Sequence, residues 1–241
     1  MKRKYIPLVF LFSFLTVSLL HAQTLVYDAN AEVRKVESFT GIEASGGVTV
    51  YIIQGKEQAV AVSTGDEKNL SRIKTEVRNG VLRIRPESGA WNSWNWGNKG
   101  VKAYVTVTTL ETIDFSGASA ARVTGDLQVG TLKMELSGAS SFKGSVKGGT
   151  LKIDATGASS ATLAGTVQTF NAEASGASSL KGYDLTAVTC TVEASGASSI
   201  SITATKEINA EASGASSIGY KGDAVIKHID VSGASSIKRK D

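Results

Sequence analysis

Glu173-Ala174-Ser175-Gly176-Ala177-Ser178-Ser179-Leu180 decides the fold, because the same string recurs with small changes through the second half of the chain. Gly117, Gly138, Gly157, Gly176, Gly196, Gly214 and Gly233 each sit in a Ser/Thr-Gly-Ala-Ser tetrad, at intervals of 21, 19, 19, 20, 18 and 19 residues. Such self-similarity marks a repeat architecture, in which one unit cannot bury its apolar face alone and must stack on its neighbours. Two residues before each glycine lie Phe115, Leu136, Ala155, Ala174, Ala194, Ala212 and Val231; four before it lie Ile113, Met134, Ile153, Ala172, Val192, Ala210 and Ile229. Six before it the apolar choice persists in Leu132, Leu151, Phe170, Cys190 and Ile208, failing only at Glu111 and Lys227. Alternation with a period of two puts these columns on one face of a strand. Four residues after the glycine come Ala121, Phe142, Ala161, Leu180, Ile200, Ile218 and Ile237, so the inward set resumes beyond a bend near the Gly-Ala-Ser-Ser stretch.

No helical periodicity separates these columns. The pattern therefore predicts an all-β, single-stranded parallel β-helix with one coil per repeat of about 19 residues. Coils stack about 4.8 Å apart, so seven of them make a rod of roughly 30 Å. A β-propeller needs about 40 or more residues per blade, and leucine-rich repeats need a Leu and Asn signature that is missing here. The drift of the interval between 18 and 21 also disfavours the strict hexapeptide register of a left-handed helix.

Residues 31–110 lack the repeat but read as strands. Val48, Val50 and Ile52 alternate after Ser45-Gly46-Gly47, an imperfect first copy; Val60 with Val62, Val81 to Ile84 after Asn79-Gly80, and Val101 to Val107 follow. Asp66 to Ile73, with Asp66 as N-cap, adds one or two helical turns. This half is expected to form N-terminal coils plus a cap, because an open β-helix end exposes unpaired edges. With the regular repeats of 111–241 it makes one domain from residue 23 onward, in which only residues 87–100 read as an insertion. Residues 1–22 carry the marks of a signal peptide: basic Lys2, Arg3 and Lys4, an apolar run from Ile6 to Leu20, and the small Ala22. That run is short of the roughly 20 residues a spanning helix needs, and no membrane span is expected in the mature chain.

Charge and composition exclude other classes. The 241 residues hold 26 Lys and Arg against 22 Asp and Glu; losing three cations with the leader leaves 23 against 22, a net charge of +1. That is no footprint for nucleic acid. With 25 Gly unphased and 2 Pro, neither collagen nor a stiff linker fits. Cys190, the single cysteine, cannot form an internal disulfide and reads as a buried, inert thiol of the inward column.

Three residues before each glycine stand Asp114, Glu135, Asp154, Glu173, Glu193, Glu211 and Asp230, facing outward by alternation. Seven carboxylates one coil apart repel one another by a few tenths of a kcal/mol or more per pair. They are either one surface residue copied by duplication or a strip that binds a ligand or a hard cation such as Ca²⁺. Trp91, Trp94 and Trp96 fall in one polar loop, Glu87 to Gly100, and are expected to pack on the core or to meet a glycan or partner protein. Serines such as Ser175, Ser178 and Ser179 suit corner packing and inter-coil hydrogen bonds. Outside the leader His228 is the one histidine, and no Gly-x-Ser-x-Gly elbow is present.

Phe39-Thr40-Gly41-Ile42-Glu43-Ala44-Ser45-Gly46, the segment Asp66 to Ile73, Val81-Leu82-Arg83-Ile84 and the serial Ser-Gly-Ala-Ser tetrads resemble the "putative auto-transporter adhesin" family with its head GIN domain. The resemblance runs from about residue 35 to the end. It implies a right-handed parallel β-helix exported by Bacteroidetes-type bacteria, and brings no catalytic motif. The expected function is an exported adhesin-like or cell-envelope module, periplasmic, on the outer membrane surface or extracellular, that binds a glycan or cell-surface protein. It would use no cofactor beyond Ca²⁺ at the carboxylate strip. The alternative is a carbohydrate-active β-helix enzyme, a polysaccharide lyase or hydrolase, working through the outward carboxylates.

Overall fold

A computed structural model describes residues 30–87 and 100–241. Strands β9 (Ala120–Leu136), β10 (Ser141–Ala155), β11 (Ser160–Ala174), β12 (Ser179–Ala194) and β13 (Ser199–Ala212) each run around one coil and pair in parallel with the next. β14 (Ser217–Lys221) and β15 (Val225–Val231) lie on β13, and β16 (Ser236–Arg239) lies on β14. The pairing register is the repeat itself: Leu151 is beside Leu132 and Phe170, and Phe170 is beside Cys190. The chain is a β-solenoid with the expected columns inside. Phe142 sits between Ala121 and Ala161, all three buried, so a large side chain fills the space two small ones leave. The drift in repeat length is absorbed away from the tetrads, at register shifts between Lys143 and Ser145, Thr162 and Ala164, and Gly182 and Thr186.

The tetrad makes the corner. Each of its glycines has φ between 69° and 74°, the left-handed region that costs other residues a clash with their own Cβ. Space forbids a side chain as well: a Cβ on Gly176 would lie 2.6 Å from the carbonyl oxygen of Gly157 in the coil beneath. Backbones come this close because Ala177 N donates to Gly157 O at 2.7 Å, a bond repeated from coil to coil. Inside the bend, Ser198 is buried and its Oγ donates to Ala174 O at 2.9 Å, the same carbonyl that accepts from Ser195 N; Ser216 repeats the contact on Ala194. Ser198, Ser216 and Ser235 bond between coils as the sequence suggests, whereas Ser119 and Ser178 are buried in the same column with no partner for their hydroxyls and serve corner packing alone.

The N-terminal half completes the rod in an order the repeat does not show. β2 (Gly41–Ala44) and β3 (Val48–Gln54) form a coil around Gly46, on which Gly117 stacks. Its neighbour on one side is the coil of β8 (Thr112–Phe115) and β9; on the other side lie β6 (Val81–Pro86) and β7 (Val101–Val107), again parallel. The chain thus builds its second coil first, leaves to make a cap, returns to lay β6 and β7 beneath, and crosses through residues 108–111 to β8. The cap is antiparallel: β5 (Ile73–Arg78) on β6, β4 (Ala59–Thr64) on β7, and β1 (Glu32–Arg34) on β4. A 3-10 turn, Glu67–Arg72, links β4 to β5, and the Asp66 side chain accepts from Lys68 N as its cap. Asn79 and Gly80 both take positive φ, the two-residue turn that matches hairpin twist. Residues 55–80 are therefore a second insertion, where sequence alone marks only 87–100. Where β3 ends, the Gln54 amide takes the place of a missing strand, accepting from Gln128 N at 2.7 Å and donating to Gln128 O at 3.2 Å.

At the far end, Ile226, Ile229 and Val231 continue the inward columns yet are 47%, 40% and 45% exposed, because a coil covers them on one side only. Burial there depends on a neighbouring coil as well as on alternation.

Two glycine substitutions separate the causes. Gly176→Ala should destabilise by about 1–3 kcal/mol, from a strained φ and the contact with Gly157. Gly130, with ordinary φ and nothing within 4 Å of an added Cβ, should accept Ala within about 1 kcal/mol of the parent, on the stabilising side. Thermal or urea unfolding of the two variants checks this ordering.

Candidate functional site: two oppositely charged sides

Two outward faces meet at the tetrad corner, and they carry opposite charge. On the approach to the corner the seven predicted carboxylates stand in register, Asp114 on Glu135, Glu135 on Asp154, and so on through Glu173, Glu193, Glu211 and Asp230, all exposed. The structure brings all seven together in one row. It adds an eighth, Glu43, paired with Asp114. That residue also lies three before a glycine, Gly46, which is the signal that could have found it. Beyond Glu43 the next rung is Arg83, whose Nε lies 2.9 Å from Glu43 Oε2 and closes the row with a positive charge.

Partial burial, then the neighbouring carboxylates Glu135 and Glu43, hold Asp114 above its usual pKa. Lys133 is held above its usual value mainly by its bond to Glu135. A shallow groove of about 460 Å³ runs along this face, bordered by Lys133, Lys152, Asp154, Asn171, Glu173 and Glu193. These groups lie side by side; among the described residues no set of three or more His, Cys, Asp or Glu is placed to hold a metal ion. His228 is on the last coil, its Nε2 3.6 Å from Glu211 Oε1 and both side chains more than half exposed. Cys190 is 2% exposed, and burial pushes its thiol up to about 12, so it is the inert core residue expected.

Past the corner the sign reverses. Five residues after the glycines come Tyr51, Arg122, Lys143, Thr162, Lys181, Ser201, Gly219 and Lys238, one column in register. Arg122, Lys143, Lys181 and Lys238 are exposed, and among the described residues none pairs with a carboxylate. A column of serines, Ser141 to Ser236, runs beside them. At the cap end Tyr51 stacks on Tyr104 with ring centroids 5.3 Å apart. Near the other end Tyr183 lies over Gly219, where an added Cβ would fall 2.2 Å from its hydroxyl, and Lys221 Nζ sits 5.3 Å from its ring centre. This basic side escaped the sequence reading because its cations occur in only four of the seven regular repeats.

Trp91, Trp94 and Trp96 lie outside the described residues. Their segment joins β6 to β7 where other coils have the tetrad, since Ile84 is level with Ala44 and Val101 with Val48.

This solenoid, with open side faces and a filled interior, has known relatives. The family model described as "Putative auto-transporter adhesin, head GIN domain" matches residues 38–224, and the chain belongs to that family. A solved "putative adhesin" from Bacteroides fragilis has a TM-score of 0.80 at 23% identity, over 87% of this chain and 96% of that one. A "putative lipid binding protein" from Parabacteroides distasonis gives 0.66 at 22%, over 89% and 98%. A "putative adhesin" of the same species gives 0.64 at 16%, over 87% and 96%. At these identities the likeness is one of fold. No curated protein matches.

Asp114→Asn tests the row. A raised folded pKa means that Asp114's contribution is full below the ordinary carboxylate pKa and is lost as pH rises through the folded value. The neutral variant should therefore be more stable than the parent at pH 7 by a few tenths of a kcal/mol, of the order of one like-charge pair. The gap should close as pH falls below the ordinary carboxylate range, as melts across that interval will show.

Proposed function

We propose that this protein is an exported, adhesin-like module of the cell envelope that binds through its side faces and does not turn over a substrate. One observation carries the reading: the outward groups repeat as in-register columns on a solenoid locked by glycine corners, where an enzyme would converge unlike groups on one point. Membership of the adhesin family agrees with it, and the basic and apolar leader of residues 1–22 supports export. The interior supports surface binding over enclosure of a lipid chain, being filled by stacked side chains such as Phe115, Phe142 and Phe170. Two contact surfaces join the basic side. Trp91, Trp94 and Trp96 would meet a glycan or cell-surface protein at the cap end, and the carboxylate row would gather divalent cations, Ca²⁺ first, along its length rather than in a chelate.

The mature chain, labelled and applied to arrayed glycans and to isolated envelope fractions, should bind a subset of them without releasing shortened sugars. Product release from a polysaccharide would instead favour the lyase or hydrolase reading. Replacing Trp91, Trp94 and Trp96 with Ala should weaken binding while leaving stability nearly unchanged, against the roughly 3–5 kcal/mol that losing a buried aromatic costs. Millimolar Ca²⁺ should raise the melting temperature by mass action, and a chelator should reverse it. No shift would leave the row as a copied surface residue.

A further inference from the structure

Building on that binding role, we propose that the basic side of the solenoid seats an acidic polysaccharide, extended along the rod, with Arg122, Lys143, Lys181 and Lys238 holding its charges and Tyr183 as its platform. The cations share one column, so each is separated from the next by whole coil rises of about 4.8 Å. One rise is close to the length of one pyranose in an extended chain. A linear polymer can therefore present successive units to successive coils without losing step. Lys143 and Lys181 are two coils apart, with the uncharged Thr162 between them, which suits a polymer charged on alternate sugars.

Tyr183 is positioned for the ring of a sugar. It lies along the sheet over Gly219, the one glycine of the column, whose missing side chain makes the room, and Thr203 Oγ1 holds its backbone carbonyl at 2.8 Å. At 37% exposure its ring is open to solvent, and Lys221 lies against it. Aromatic area beside cations and a column of serine hydroxyls offers a sugar its three needs: a flat apolar surface, hydrogen bonds and countercharge.

Charge segregation explains why a nearly neutral protein can attract a polyanion. The in-register carboxylate row stands on the other side of the corner, so the potential across the corner is polarised and the polymer is steered to the basic side. A second copy of the chain could set its acidic row against these cations. Isolated exposed ion pairs contribute little, however, whereas a polymer binds through many linked units at high effective concentration. An anionic membrane is matched less well, since Tyr183 lies flat along the sheet and does not project to insert.

Binding of the mature chain to polygalacturonate, neutral dextran and vesicles of phosphatidylcholine with phosphatidylglycerol separates these cases. Polygalacturonate should bind, dextran at least about tenfold more weakly, and the affinity should fall about tenfold or more between about 50 and 200 mM salt. Lys181→Glu with Lys238→Glu should lose about tenfold or more, as should Tyr183→Ala, while Lys152→Glu on the acidic side should not. Unchanged melting temperatures would show that the variants fold, and the salt dependence of the parent needs no variant at all. Glycan or envelope binding that ignores both salt and these substitutions would overturn the basic-side assignment and leave the adhesin reading intact. Tighter binding to the vesicles, or salt-sensitive self-association abolished by the same substitutions without polygalacturonate binding, would also overturn it. Failure to bind any glycan or envelope fraction would count against the broader reading as well.

Discussion

The close approach of one glycine backbone to the next at the tetrad corner is the constraint on which the rest of this structure depends. With φ near 70° and a neighbouring carbonyl where a Cβ would be, the corner admits one residue type, and the hydrogen bond from the following alanine fixes its height. Because each tetrad coil meets the next through the same contact, residues at the same distance from their glycine are in register. The apolar columns inside, the serines within the bend and the charges outside are all consequences of that registration. Where a repeat is longer or shorter, the difference is taken up as register shifts past the tetrad, and the corner is undisturbed.

Registration also turns small sequence choices into extended surfaces. A carboxylate at one position of the repeat is a modest feature by itself; stacked eight high it is a charged ridge, and at Asp114 partial burial together with the neighbouring Glu135 and Glu43 holds the carboxyl above its usual pKa. The same geometry gathers Arg122, Lys143, Lys181 and Lys238 around the corner. A protein with nearly balanced charge thus has two sides of opposite sign, and near-neutrality in the composition hides the polarity that governs its partners.

The cap illustrates a different economy. An exposed parallel edge would recruit other strands, and here antiparallel β4 and β5 cover the end coil while the Gln54 amide pairs with the backbone of Gln128 where β3 stops. Laying the end coil after the cap strands leaves the regular repeat free to run without interruption.

Much of this was legible in the sequence. Seven tetrads with alternating apolar columns determine a parallel β-helix, because a period of about 19 residues with a period-two pattern has few other ways to bury its apolar face. The outward carboxylates, the buried Cys190, the buried corner serines and the Asp66 cap follow from alternation and turn chemistry alone. Tertiary structure alone decided three things. It decided the coil order at the cap, because strand pairing between segments distant in sequence leaves no local pattern. It decided the exposure of Ile229 and Val231, which depends on whether a coil lies on both sides. It decided the basic side with Tyr183 over Gly219, because that column is made of unlike residues whose kinship is only their height above a glycine, and height is a property of stacked coils.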